Sequence, residues 1–207
     1  MTEQRYPWPE ASCTGVGSFP GTDPEEAVRT LFGELPELPH LPELPERGVG
    51  ADMVGRTGGM LVDLPVEVQP TGWRVALRPG RDMQRARSFL SRDLDALEEN
   101  SQGFEGKLKI QVAGMWTMAA SVELRSGEKL LADPGAVADL AASHLEGVLA
   151  HAGEVRKRVP GAELIVQVDE PCLPAVLAGA VPTASGYGRL PVPDGDTAEQ
   201  RLRELFG

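Results

Sequence analysis

Positive charge is scarce in this chain: 20 Lys and Arg stand against 31 Asp and Glu, for a formal net charge of -11 and a pI near 4.8. A nucleic-acid surface is therefore not expected, because phosphate binding relies on clustered Lys and Arg that displace counterions. Long apolar runs are missing too. No stretch approaches the roughly 20 apolar residues of a membrane span. Met1–Glu10 holds charges and two prolines in place of a signal peptide or anchor. The expectation is a cytoplasmic protein without a membrane partner. Cysteine is limited to Cys13 and Cys172, which in a chain without an export signal are expected to stay reduced.

Histidine is limited to His40, His144 and His151. No C-x-x-C, H-x-C or H-E-x-x-H spacing occurs, so the chain offers no metal-ligand motif. His144 and His151 lie seven apart on one expected helix, two turns from each other and too distant to share one ion; they read as solvated or core histidines. No local pattern makes Cys172 a nucleophile with a histidine base. Gly15 and Gly17 give a G-x-G that completes neither the Rossmann nor the Walker spacing, so no nucleotide cofactor is expected.

Glycine (24) and proline (18) are plentiful among the 207 residues, with 41% hydrophobic and 25% charged. That mixture suits a loop-rich α/β protein, and the length suits one domain over 1–207. Cys13–Val16 reads as a short strand that runs into the breakers Gly17–Gly21. Thr22 or Asp23 is placed to cap a helix with Pro24, Glu25 and Glu26 in its first turn and Ala27, Val28, Leu31 and Phe32 as its apolar stripe. From Leu35 to Glu46 Leu-Pro recurs with Glu or His between, which forbids helix and favours an extended polyproline conformation. Its acidic flanks do not suit a proline-recognising partner, and its leucines read as covering an apolar wall.

Further on, a short helix is expected around Asp52–Leu61, short strands at Val66–Val68 and Trp73–Leu77, and a long helix over Arg81–Gln102 with Met83, Ala86, Phe89, Leu90, Leu94 and Leu97 on one side. Lys107–Ala113 alternates into an apolar strand. Gly114–Thr117 then reads as a loop entering a helix over Met118–Leu124. Asp133 and Pro134 open a longer helix to about Arg158. Ala162–Val168, rich in Ile and Val, is the clearest strand, and a helix from Leu173 to Ala178 follows. Strands thus alternate with helices, and polar residues stand at the strands' C-terminal ends, where parallel α/β folds place their chemistry.

Two of those ends carry the candidate site. Val166–Pro171 reads Val-Gln-Val-Asp-Glu-Pro. Adjacent carboxylates at the tip of a buried strand are costly unless something uses them, and Asp169 with Glu170 can hold an ammonium group or a metal. Equally, Asp169 can be a helix N-cap with Pro171 in the first turn. Ser18 follows Gly17 in a loop whose backbone amides can approach a ligand closely, or which is an ordinary turn.

Four segments, in order, resemble the catalytic barrel of the cobalamin-independent methionine synthase family. Thr14-Gly-Val-Gly-Ser-Phe-Pro20 is similar to its opening strand and loop, and Asp52-Met-Val54 to a motif that follows. Gly114-Met-Trp-Thr117 is similar to its Gly-Pro-x-Thr turn, with Met115 in place of the proline, and Gln167-Val-Asp-Glu-Pro171 to its acidic strand end. The resemblance implies a (β/α)8 TIM barrel related to uroporphyrinogen decarboxylase, and transfer of a methyl group from a methylated folate to the thiol of homocysteine. By position it implies that the backbone around Val16, Gly17 and Ser18 receives the amino acid's carboxylate. Asp169, beside Glu170, would bind the ammonium group, and Trp116 would lie where the methyl donor approaches.

The resemblance also implies a zinc ion that lowers the thiol pKa. Its family ligands, a His-x-Cys pair, a glutamate and a later cysteine, lie downstream of the Asp-Glu-Pro strand and have no counterpart here. A full barrel takes about 250 residues, so the expectation is an incomplete barrel of about five βα units, truncated at the C-terminus. Arg47 stands where the family has a substrate-binding glutamate, with the neighbouring Glu46 as the candidate substitute. The family's separate N-terminal domain, which helps bind the folate, has no counterpart either. Two alternatives stand beside the methyltransferase: a related decarboxylase or corrinoid-linked methyltransferase, and a non-catalytic barrel that binds an amino acid or a partner and self-associates through open sheet edges.

Overall fold

Asp23 sets the start of the first helix, α1 (Pro24–Glu34). Its Oδ1 accepts from the N–H groups of Glu25 (2.9 Å) and Glu26 (3.3 Å), and Pro24, with no N–H to leave unpaired, fills the first turn. Asp133 does the same for the longest helix, Pro134–Arg158, accepting from Gly135 (2.8 Å) and Ala136 (3.1 Å). Asp52 caps α2 (Met53–Met60) through the N–H of Gly55 at 2.8 Å. The computed structural model describes Trp8 and residues 11–206. Its remaining helices in chain order are α3 (Arg81–Asn100), α4 (Met115–Ser121), α5, the Pro134–Arg158 helix, α6 (Leu173–Leu177) and α7 (Gly195–Phe206).

Four strands are regular. β1 (Val66–Gln69) and β2 (Gly72–Val75) form an antiparallel hairpin, while β3 (Gly106–Ala113) and β4 (Ala162–Asp169) pair in parallel, in register from Gly106 with Ala162 to Ala113 with Asp169. The parallel arrangement continues beyond β3. His40 bridges Lys109 and Ser18 bridges Glu43, both in parallel sense. Residues 17–19, 39–43, β3 and β4 therefore lie side by side in chain order, each neighbouring pair running the same way. The structure is a mixed α/β protein.

The expected strand Cys13–Val16 is not a regular strand; the chain joins the sheet one step later, at Ser18. The Leu-Pro segment is extended and packs its leucines on apolar surface as expected, with Leu38, Leu41 and Leu44 buried, but it does so within the sheet and not as free polyproline. Leu41 N–H donates to Lys109 O and Lys109 N–H to Pro39 O, each at 2.9 Å, and on the other side Glu43 N–H donates to Gly17 O at 2.9 Å. Pro42 has no N–H, so the ladder is broken there and the stretch never becomes a regular strand.

β3 divides two environments. Leu108 and Ile110 pack with Leu94, Leu97, Ala152 and Val155 of α3 and α5, while the alternate residues Lys109 and Gln111 belong to the opposite, polar face. A second apolar cluster gathers Trp73, Met83, Trp116, Met118, Leu140 and Ala198 around α4.

Candidate functional site

Val16, Ser18, Glu43, Met53, Asp169, Glu170 and Pro171 line one cleft of about 490 Å³. Three segments of the sheet and a helix meet there: the loop before residue 19, the end of the Leu-Pro stretch, the end of β4 and the N-terminus of α2. Four of the residues that sequence reasoning singled out, Val16, Ser18, Asp169 and Glu170, thus come together, although more than 150 positions separate the two pairs in the chain.

The loop at 15–18 is held against the polar face of the sheet. Gly17 has φ +142, and a Cβ there would lie 2.7 Å from Gln111 Cγ, so only glycine lets the backbone pass this closely. Gly15 packs in the same way on the ring of His40. Val16 is 75% exposed, yet its carbonyl accepts from Gln167 Nε2 at 2.9 Å and from Lys109 Nζ at 3.4 Å. The N–H groups of Gly17 and Ser18 have no hydrogen-bond partner among the described residues.

Behind the loop lies a buried polar network. Lys109 Nζ donates to Gln167 Oε1 at 2.7 Å, and Gln167 Nε2 also donates to Asp169 Oδ1 at 2.7 Å. Gln111 Nε2 reaches Leu41 O at 2.8 Å and Glu43 Oε1 at 3.2 Å, and Arg56 Nε stands 3.7 Å from the same Glu43 oxygen. Burial pushes the Glu43 carboxyl up, against the pull of the Arg56 charge and the Gln111 hydrogen bond. Burial likewise brings the Lys109 ammonium down to about 8, with the Asp169 and Glu43 charges acting to keep it protonated. His40, buried beside Lys109, falls to about 4 and is neutral at pH 7.

The two adjacent acids are used differently. Glu170 turns away to the start of α4, accepting from the N–H groups of Trp116 (2.9 Å) and Thr117 (2.7 Å), whereas the Asp169 carboxylate accepts, among the described residues, from Gln167 alone. Asp169 does not cap α6: Cys172 holds the N-cap position, without a side-chain cap bond. Trp116 adds only its backbone to this arrangement. Its side chain is 1% exposed and lines a different cavity, away from Val16, Ser18 and Asp169. Arg47 is a structural residue, paired through both terminal nitrogens with Asp93 (2.6 and 2.9 Å), and Glu46 accepts from Gly21 N–H at 3.1 Å outside the cleft. The second acid facing Asp169 is Glu43, which sequence reasoning passed over inside the Leu-Pro stretch. Its one signal was polarity at a buried extended position.

The fold and cleft define an α/β domain with an acidic cleft at the C-terminal ends of parallel segments. The chain belongs to the family described as cobalamin-independent synthase, catalytic domain, whose model matches residues 11–187. No curated protein and no solved structure matches it.

Zinc, which the resemblance implies, has no fitting donor set among the described residues. No three His, Cys, Asp or Glu side chains converge there to hold a metal ion. Cys13 is exposed, and His144 uses Nε2 on Ala113 O at 2.7 Å. No helix among the described residues is long and apolar enough to cross a membrane.

Proposed function

We propose that the strand-end cleft binds homocysteine, and that the domain serves methyl transfer from a folate-type donor to its thiol. The four parallel segments are, on this reading, the first strands of a (β/α)8 barrel, whose chemistry belongs at the C-terminal face. The observation that carries the proposal is the convergence of Glu43 and Asp169 opposite the exposed loop at Val16–Ser18 in one cleft.

An α-amino acid presents an ammonium and a carboxylate two bonds apart. Asp169, with one oxygen held by Gln167, and Glu43, partly offset by Arg56, form the cation-binding side. The partnerless N–H groups of Gly17 and Ser18 form the anion-binding side. The Lys109 ammonium attracts both the Asp169 and the Glu43 carboxylates and so offsets the repulsion between two acids sharing the cleft. The thiol would point away from these groups, past Met53.

Calorimetric titration with L-homocysteine and L-methionine tests this reading. Both should bind, and Asp169→Asn should weaken both about ten-fold or more, the loss expected for a charge-assisted contact in a shielded site. Equal binding by the parent and Asp169→Asn would remove the assignment. A second reading, binding without turnover, is favoured by the lack of a metal-ligand set among the described residues. Homocysteine-dependent methionine formation with added zinc and methylated folate separates the two.

A further inference from the structure

The chain beyond residue 187, past the family match, folds back onto the domain. Leu190 and Ala198 are buried in the cluster around α4, and Leu202 packs against it. The fit leaves a space. Between Trp116, Leu131 and Val137 on one wall and Pro191 and Pro193 on the other lies a cavity of about 310 Å³, with Arg201 of α7 also in its lining. That volume falls at the lower end of small-molecule pockets.

The lining is mostly apolar, and besides Asp194 and Thr197 two polar groups border it. Trp116 is 1% exposed, and its indole N–H has no hydrogen-bond partner among the described residues. A buried donor left without an acceptor is unfavourable; this nitrogen is shielded from water, so a small shift of the ring would be needed to bring it to a ligand oxygen in the adjoining cavity. Arg201 uses Nη1 on Glu204 at 2.9 Å, and the rest of its planar fork has no partner among the described residues. Asp194 also lines the cavity, but its carboxylate is already taken by the N–H (2.8 Å) and hydroxyl (2.6 Å) of Thr197.

We propose that this cavity is a second ligand site, separate from the strand-end cleft. It takes a small molecule with a flat apolar body, an acceptor oxygen for the Trp116 indole and a negative charge for Arg201. Small aromatic carboxylates are that class. Prolines on the facing wall suit a flat ring, offering rigid apolar surface without side-chain ordering cost. Trp116 joins the two sites, since its side chain walls the cavity while its backbone N–H holds Glu170 Oε1 at 2.9 Å beside the cleft.

Titration of the full chain with 2-naphthoate, followed by calorimetry and ligand-observed NMR, tests the site. One equivalent should bind saturably, and Asp169→Asn should leave that binding unchanged, which keeps the result independent of the cleft. Arg201→Gln should lower naphthoate affinity about five-fold or more, while 2-acetylnaphthalene, which keeps the oxygen and lacks the charge, should lose less than about two-fold. Trp116→Phe should weaken both ligands about three- to ten-fold. Val137→Trp, which fills the space, should abolish binding; Arg201→Gln, at the partly exposed end, carries the test if that variant fails to fold. No saturable binding of 2-naphthoate overturns the site. Binding that ignores either Arg201→Gln or Trp116→Phe overturns the ligand class.

Discussion

Thr117 grips Glu170 twice: the carboxylate oxygen Oε2 accepts from the Thr117 backbone N–H and from its hydroxyl, each at 2.7 Å. With Trp116 N–H on Oε1, a side chain at the end of one strand caps the helix that follows another. The Thr117 hydroxyl oxygen accepts in turn from Cys172 N–H at 3.3 Å, so the loop after β4 is tied at two points. Burial raises the Glu170 carboxyl and these donors pull it back. The neighbouring Asp169 is thereby left to face the cleft.

Thr117→Val removes one of those donors and leaves the Cys172 N–H without its acceptor. The variant should lose about 1–2 kcal/mol of stability by urea denaturation, the cost of an incompletely satisfied half-buried carboxylate. An unchanged midpoint would mean that the grip is incidental.

Of the four lysines in the sequence, Lys109 should titrate near 8. Reductive 13C-methylation followed by NMR titration reads its signal singly. A Lys109 curve centred near pH 10.5 would contradict the burial of this ammonium.

Gly147 and Gly153 share α5 and should respond oppositely to alanine. A Cβ at Gly147 would run into the carbonyl of Met60, a backbone wall that cannot swing aside, whereas at Gly153 it meets nothing within 4 Å. Gly153→Ala should add about 0.5–1 kcal/mol through helix propensity, and Gly147→Ala should cost about 1–3 kcal/mol through overpacking. Thermal denaturation of the pair decides, and a gain at both positions would refute the close approach of α2 and α5.

His151 is lowered to about 4 by burial and by the nearby Arg56 charge. The unfolded chain takes this proton near pH 6.5, while the folded chain resists it until about pH 4. Stability is therefore whole above pH 6.5 and falls between 6.5 and 4. Relative to His151→Leu, the parent should lose on the order of 2 kcal/mol across that window. Parallel pH profiles for the two would show that His151 is solvated after all.

Much of the helical part was legible because its signals are local. Asp23 and Asp133 each sit one residue before a proline and cap the helices expected from them. The Ile and Val run of β4 was equally plain. The early start of α4 was not, because its cap comes from Glu170, more than 50 residues away, and the segment by itself looks like a loop. Strand character at 39–43 was hidden for a related reason: prolines mask the pattern, and only the pairing partners reveal it. The same masking hid Glu43. As for Trp116, which only the family resemblance singles out, as lying where the methyl donor approaches, its ring lies in the apolar cluster around α4 and its backbone alone reaches Glu170.

The proline-bearing stretch inside the sheet has a consequence for isotope exchange. Pro39 and Pro42 carry no amide proton, so in this deeply buried stretch only His40, Leu41 and Glu43 can report by deuterium. Of these, Leu41 and Glu43 are the amides bonded into the sheet. The rest is legible only from outside, at Phe19 and Lys109, whose N–H groups point into it at 2.8 and 2.9 Å and would begin to exchange when it opens.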